Sequence, residues 1–539
     1  MKNASKLLLT LLLSPAVFSQ GNISGNMETV FQYLNEDSII NAKQPIQKGL
    51  LNSYMNVFYT QGNFKAGMRF ESYLPRIQGY PNRFDGTGIG MRYVGYQNNF
   101  VDVTLGSFYE QFGTGLALRT YEDRNLGYDN LLDGVRIVLR PAKGLVLKGV
   151  YGTQRLSFQQ GQVVHSEGLV RGTDAEWHLN EGIGLLKDKK LDVVLGASFV
   201  SKFQVDDNPE WILPQNVAAY GGRLKLTYGN FYADAEYIQK EQDPSSDNQY
   251  IYNYGHAAIF NLRYTQKGLG ILLSGKSVDN MSYRSDRTKD LQDALINFLP
   301  SLNKTHTYNL VATLYPYATQ PLGEVAYQAD ILYTFKKGTQ LGGKYGTTVG
   351  FNYSTTYRPK QTLDGIDLND SSRVVYFTSP FSMSDSLYWQ DINVNITKKF
   401  NKQWSGILSY YDIQINNDMV KVSDAQGIIR ARIAVLEGTY KINTHNALRW
   451  ELQGMWVEKN PAGINDKGNW ATVLLEYTIS PGWFFSVMNQ YNYGNADVSK
   501  RVNYPIVTCG YIKDATRLTV SYGRQRAGLF CVGGVCRPV

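Results

Sequence analysis

The stretch Gly106–Asp133 packs charge, hydroxyl and aromatic groups more densely than any other part of the chain. Glu110, Glu122, Asp123 and Asp129 are interspersed with Arg119 and Arg124, and Tyr109, Phe112, Tyr121 and Tyr128 lie among them. Opposed rows of carboxylates and guanidinium groups at the neck of a pore create a transverse field that orients polar solutes. Aromatic rings beside them can stack on sugar faces. The same side chains can instead pair with one another and brace or plug an interior. The residue pattern leaves both arrangements open.

Other chemistry is sparse. The five histidines, His165, His178, His256, His306 and His445, are dispersed, and none pairs at metal-ligand spacing. No metal or cofactor is expected. A hydrolase would need a nucleophile, a base and an orienting group at one rim, and nothing in the chain points to such a set. The reading is therefore a non-enzyme. Cys531 and Cys536 flank Val-Gly-Gly-Val, a short loop that a disulfide could close in an oxidising compartment. Cys509 is left over and reads as a small residue in a strand.

The elements that must position these groups are strands. Asn52–Thr60, a Gln61-Gly62-Asn63 turn and Phe64–Leu74 form a first copy of a unit that recurs to Tyr522. Each strand is roughly 9–13 residues long, with tight turns at one end and long polar loops at the other, as in a transmembrane β-barrel. In Met68–Leu74, Met68, Phe70 and Ser72 share one face and Arg69, Glu71 and Tyr73 the other. Leu224, Leu226 and Tyr228 likewise oppose Arg223, Lys225 and Thr227. A charge on the lipid face near mid-bilayer costs roughly 2–4 kcal/mol, so the charged face is the lumen. Tight turns are expected at Lys143-Gly144, Gly229-Asn230, Lys267-Gly268, Asn443-Thr444, Ser480-Pro481-Gly482 and Lys513-Asp514, on the periplasmic side. The longer segments between them are expected outside.

Residues 1–19 read as a secretory signal: Lys2 and Lys6, then the apolar Leu7–Leu13, then Val17 and Ser19 before a cut at Gln20. That apolar run is too short to span a bilayer. Residues 20–539 then form one barrel domain in a Gram-negative outer membrane. The mean hydropathy of −0.31 fits a chain in which only alternate strand residues face lipid. The 39 Tyr, 23 Phe and 8 Trp suit interfacial girdles. The formal charge of +8 falls to +6 once Lys2 and Lys6 leave, and no basic run is present. Nucleic-acid binding is therefore not indicated. The partners expected are outer-membrane lipids, lipopolysaccharide and a small polar solute. No plug domain precedes Asn22, which argues against a TonB-type transporter.

The fold class is all-β, a transmembrane antiparallel barrel of about 24–26 strands. The least regular region is Asp279–Trp389, where Ser372–Thr378 must be a crossing if the alternation is to hold. Asp286–Leu299 could form a short loop helix capped by Asp286. Counting gives an odd number of strands, and Ala515–Tyr522 runs outward. The expectation is a missing closing strand, with pairing of the first strand to Ala515–Tyr522 as the other option.

Gly106-Ser-Phe-Tyr-Glu-Gln-Phe-Gly-Thr-Gly, Leu126-Gly-Tyr-Asp-Asn and Asp133-Gly-Val-Arg-Ile resemble a Bacteroidota outer-membrane family defined only as a domain of unknown function. Gly168-Leu-Val-Arg-Gly-Thr-Asp-Ala-Glu, His306-Thr-Tyr-Asn-Leu with Leu314-Tyr-Pro-Tyr-Ala-Thr-Gln-Pro, and Phe530-Cys-Val-Gly-Gly-Val-Cys extend the resemblance over nearly the whole mature chain. It implies the fold and the location and brings no activity. The first segment also looks like the constriction of porins for sugars or small organic acids, an analogy between families. Two functions stay in view. One is a channel whose eyelet is Glu110, Arg119, Glu122, Asp123, Arg124 and Asp129. The other is a plugged accessory barrel in a surface-assembly or secretion complex. The position of Tyr109–Asp133, lining or filling the lumen, separates them.

Overall fold

A computed structural model describes residues 21–184, 190–363, 376–420, 427–460, 463, 466–532 and 535–538. The expected signal segment, residues 1–19, lies outside them. The wall begins with β1 (Asn22–Tyr33), β2 (Gly49–Gln61), β3 (Phe64–Tyr73), β4 (Gly86–Gln97) and β5 (Val101–Phe108). Inside the barrel lie two-residue strands, β6 (Glu122–Asp123) and β7 (Tyr128–Asp129). The wall resumes with β8 (Leu132–Ala142), β9 (Leu145–Gln159), β10 (Gln162–His178), β11 (Leu191–Phe203), β12 (Asn216–Tyr228) and β13 (Phe231–Lys240). Next come β14 (Gly255–Gln266), β15 (Leu269–Asp279), β16 (Gly323–Phe335), β17 (Thr347–Leu363), β18 (Tyr376–Lys399) and β19 (Trp404–Asn416). It ends with β20 (Ile428–Lys441), β21 (Asn446–Val457), β22 (Trp470–Ile479), β23 (Trp483–Asn492), β24 (Asn503–Lys513) and β25 (Thr516–Gly523). A hairpin of β26 (Leu529–Val532) and β27 (Val535–Pro538) stands apart.

Among the described residues, 23 strands form one sheet in which each wall strand pairs antiparallel with the next. This all-β antiparallel architecture is the expected one. Of the crossing expected over Ser372–Thr378, residues 372–375 lie outside the described residues, and Tyr376, Phe377 and Thr378 open the long β18. No helix forms over Asp286–Leu299, where turns and bends prevail; the helix of this region is Asn309–Leu314. Local helical spacing there lost to contacts with the wall, described below.

The lipid face is a continuous aliphatic belt. Leu408, Leu436, Leu452 and Val473 sit directly opposite one another on four successive strands. Each is 44–50% exposed. Leu195 faces Leu224, and Leu262 faces Leu273, in the same way. Aromatic pairs close the belt at the tight-turn end. Trp404 stacks on Tyr440 at 4.5 Å, and Trp483 meets Tyr511 at 4.6 Å. Phe231 meets Tyr264 at 4.7 Å. Such rings place an apolar body in hydrocarbon and a polar edge at the headgroups. The turns fall where the turn formers lie, with Gly229 and Gly268 at φ +56° and +84°. Leu224→Arg should destabilise the barrel by roughly 2–4 kcal/mol. Urea unfolding in lipid vesicles measures this, and an unchanged midpoint would refute the lipid assignment of that face.

At the loop end an ion pair links the segments that follow the two edge strands: Arg524 Nε lies 2.6 Å from Asp37 Oδ2. β1 and β25 run in the same direction and pair with no further wall strand among the described residues. Their residues are exposed on both faces, whereas inner strands alternate.

Candidate functional site

Two long segments turn into the lumen and fill its loop end. The first links β5 to β8. Phe112, Leu116, Ala117 and Leu118 are completely buried and pack with Val170, Val200, Ile238 and Val278 of the wall. Near the loop end the lumen face is therefore apolar on several strands, and an apolar core replaces water. Gly113 shows how tight the fit is. Its φ is +53°, and a Cβ there would lie 2.5 Å from the Glu236 carboxylate. Met281, Tyr283 and Ile296 of the second segment, between β15 and β16, join the same core.

The charges anticipated as an eyelet are distributed differently. Glu110 accepts from Arg136 Nε at 2.7 Å and Lys148 Nζ at 2.8 Å, both on the wall. Asp129 accepts from Arg69 at 2.6 Å, Arg155 at 2.8 Å and the Tyr109 hydroxyl at 2.9 Å. Glu122 bridges Arg69 and Arg124, each at 2.9 Å. Arg124 reaches Glu28 of β1 at 2.7 Å and lies over the Tyr54 ring. Asp123 accepts from the Leu126 amide and shapes the β6–β7 turn. Arg119 does not face the acids. Its guanidinium lies 4.6 Å from the Tyr121 ring centre and 4.0 Å from that of Phe298. Tyr121 and Tyr128 pack at 4.8 Å. Burial pushes the Tyr121 hydroxyl up to about 12 and the Tyr109 and Tyr128 hydroxyls well above their ordinary range. These phenols stay neutral, and the Tyr109 hydroxyl donates to Asp129 within the inward-folded segment.

The centre of this network is a set of strand residues. Arg69, Glu71 and Arg155 are 3%, 0% and 1% exposed in their side chains. Arg155 forks onto Glu71 with bonds of 2.9 and 2.7 Å. The period of two placed Arg69 and Glu71 toward the lumen. It could not identify Arg155 as their partner.

The second segment crosses to the opposite wall. Leu310, Val311 and Leu314 of the short helix pack with Tyr317, Trp389 and Ile433 in a second core. Buried polar contacts hold the crossing. Lys276 pairs with Glu324, both completely buried, and Glu324 accepts from the Tyr317 hydroxyl at 2.6 Å. His306 Nε2 meets Asp391 Oδ2 at 2.7 Å. The Tyr308 hydroxyl reaches Glu437 at 3.2 Å. Beyond β25, Arg526 turns inward to Asn309, Thr313 and Gln490 and lies over Trp470. None of these pairings was singled out from the sequence; apart from Tyr317–Glu324, seven positions apart, each joins residues distant in the chain. Cys531 and Cys536 are direct cross-strand partners in the β26–β27 hairpin backbone; their side chains lie outside what the structure describes. Cys509 is unpaired and shares its strand face with Val507 of the lipid belt.

The lumen thus has two unlike halves. Near the tight turns, the lumen-facing Lys65, Lys148 and Lys225 keep 28%, 26% and 34% exposure. Near the loops, Lys202, Lys240 and Lys276 keep 2%, 0% and 0%. One residue type on one face is wet at one end and dry at the other.

These features define a membrane-embedded antiparallel β-barrel whose loop end is stoppered by its own connecting segments. The chain belongs to DUF6029, a family of unknown function whose model matches residues 1–539. No curated protein matches it. Among solved structures it is similar to a BenF-like porin from Pseudomonas fluorescens Pf-5, at 12% identity, 81% of this chain, 94% of that chain and TM-score 0.30. It is also similar to OccAB3 from Acinetobacter baumannii, at 10% identity, 87% and 98% coverage and TM-score 0.34. The copper transporter OprC matches at 10% identity, 96% and 75% coverage and TM-score 0.38.

Proposed function

We propose that this protein is an outer-membrane channel for small polar solutes, exported by its signal segment and held shut by its inward-folded loops. The tight turns then face the periplasm and the loops face outward, in contact with lipopolysaccharide. One observation carries the reading: lumen lysines are hydrated at the turn end and sealed at the loop end. A hydrated, charged vestibule serves solute passage, and non-covalent anchors can release a stopper. No catalysis is part of this reading. Arg124, Glu122 and Glu28 border the vestibule and are the charges a passing solute would meet.

Planar-bilayer conductance of the refolded full-length protein tests this, beside a variant with Arg119 and Arg124 changed to Ala. Because the stopper is closed at rest, brief and infrequent stepwise openings are expected, with ion selectivity altered in the variant through loss of Arg124. A second reading is favoured by Tyr109–Asp133, which fills the loop end of the lumen around Phe112 and Met281 and does not line an open passage: a permanently plugged accessory barrel that presents its loops to protein partners. A folded protein, shown by heat-modifiable migration, that never conducts would sink the channel and leave that second reading.

A further inference from the structure

The lumen face of β17–β19 carries polar groups that the stopper covers and satisfies only in part. Asn352, Ser354 and Thr356 of β17 stand opposite Asn393, Asp391 and Trp389 of β18. Asn393 in turn faces Tyr411 of β19. All seven are at most 3% exposed. Some are linked: the Asn393 amide donates to Asn352 Oδ1 at 3.1 Å and to Asp391 Oδ2 at 2.9 Å. Yet the Asn352 amide nitrogen, the Trp389 indole nitrogen and Asp391 Oδ1 have no hydrogen-bond partner among the described residues. Buried polar groups are nearly always paired, so three orphans on one patch call for an explanation. An apolar partner would not explain them. A ligand rich in donors and acceptors would.

The residues that cover the patch indicate the shape of that ligand. The Tyr317 ring stacks on Trp389 at 5.5 Å and 26°. The His306 imidazole bonds Asp391 at 2.7 Å and stands edge-on to Tyr411 at 5.0 Å. The stopper therefore places one ring on an indole face and one polar edge on a carboxylate. Trp389 and Asp391 lie two residues apart on one strand face, a spacing of about 7 Å, which is the scale of one pyranose ring. Sugars are bound by this combination of an aromatic platform under the ring's C–H face and amide, hydroxyl and carboxylate groups around its hydroxyls.

We propose that β17–β19 carry a binding subsite for a neutral, hydroxyl-rich ring solute, a mono- or oligosaccharide, and that His306 and Tyr317 occupy it while the stopper is closed. One carboxylate among amides and hydroxyls suits neutral sugars better than acids. The subsite deepens the channel reading and rests on it. Its test reads binding without conduction, so the two can fail separately.

Full-length protein in detergent micelles is titrated by calorimetry with glucose, galactose, mannose and xylose and their neutral oligosaccharides up to four units. Citrate and spermidine serve as charged controls. The His306→Ala/Tyr317→Ala variant should bind at least one neutral sugar at least tenfold more tightly than the parent, and neither control. Adding Asn352→Ala or Trp389→Phe should remove at least tenfold of that gain. His306→Gln alone, which keeps Tyr317 and the core packing, should give part of the gain and guards against loss of folding in the double variant. Heat-modifiable migration confirms folding throughout. The subsite is refuted if no sugar binds the uncovered variants below 10 mM, if a charged control binds as well, or if Asn352→Ala and Trp389→Phe leave the affinity unchanged.

Discussion

Glu71→Ala is expected to destabilise the barrel by roughly 3–5 kcal/mol, the cost of leaving a buried charge uncompensated. Glu71 is completely buried and accepts from Arg69 at 2.7 Å, from Arg155 at 2.9 and 2.7 Å and from the Tyr73 hydroxyl at 2.8 Å. Without it, two guanidinium groups that water barely reaches share only Asp129 and Glu122. The loss should appear in the urea midpoint of protein folded in vesicles. Replacing the pair together, as Glu71→Met/Arg155→Met, should recover much of it, because apolar side chains of similar volume carry no desolvation penalty. A single variant within about 0.5 kcal/mol of the parent, the scale of an ordinary surface change, would show that the network is hydrated and not structural.

Glu324→Ala should open the stopper. Its carboxylate pairs with the buried Lys276 and accepts from the Tyr317 hydroxyl at 2.6 Å and the Gln320 amide at 2.8 Å. Lys276 also donates to the Pro300 carbonyl, so the Lys276–Glu324 pair holds the segment to the wall at Pro300, Tyr317 and Gln320. Truncation strands a buried ammonium and releases Tyr317. Trypsin added outside intact vesicles should then cut at Lys304 at least tenfold faster than in the parent, and bilayer current should fluctuate. Unchanged cleavage and an opening frequency equal to the parent's, in a folded variant, would mean that the apolar cores alone hold the segment.

Much of the wall was legible from residue order. The period of two in Met68–Leu74 and Arg223–Tyr228, together with the lipid penalty on charge, sorted lumen from lipid face. Turn formers such as Gly229-Asn230 and Lys267-Gly268 marked the hairpins. These are local signals, decided within one strand or between neighbours. The helix expected over Asp286–Leu299 failed because its side chains are taken by distant partners. Arg287 is held by Gln204 and the Pro214 carbonyl, and Ile296 is buried in the wall core.

What residue order alone determined was an antiparallel membrane wall, the face each strand turns to lipid, and an acid- and arginine-rich segment at Tyr109–Asp133. Tertiary structure decided which charges meet. Glu71 and Arg155 are 84 positions apart, and Asp37 and Arg524 are 487 apart. It also decided that Tyr109–Asp133 fills the loop end of the lumen and that a second segment, 280–322, seals that end. The physical reason is range. Alternation and turn chemistry act over a few residues, whereas a buried ion pair or an apolar core depends on which distant side chains the curled sheet brings within contact.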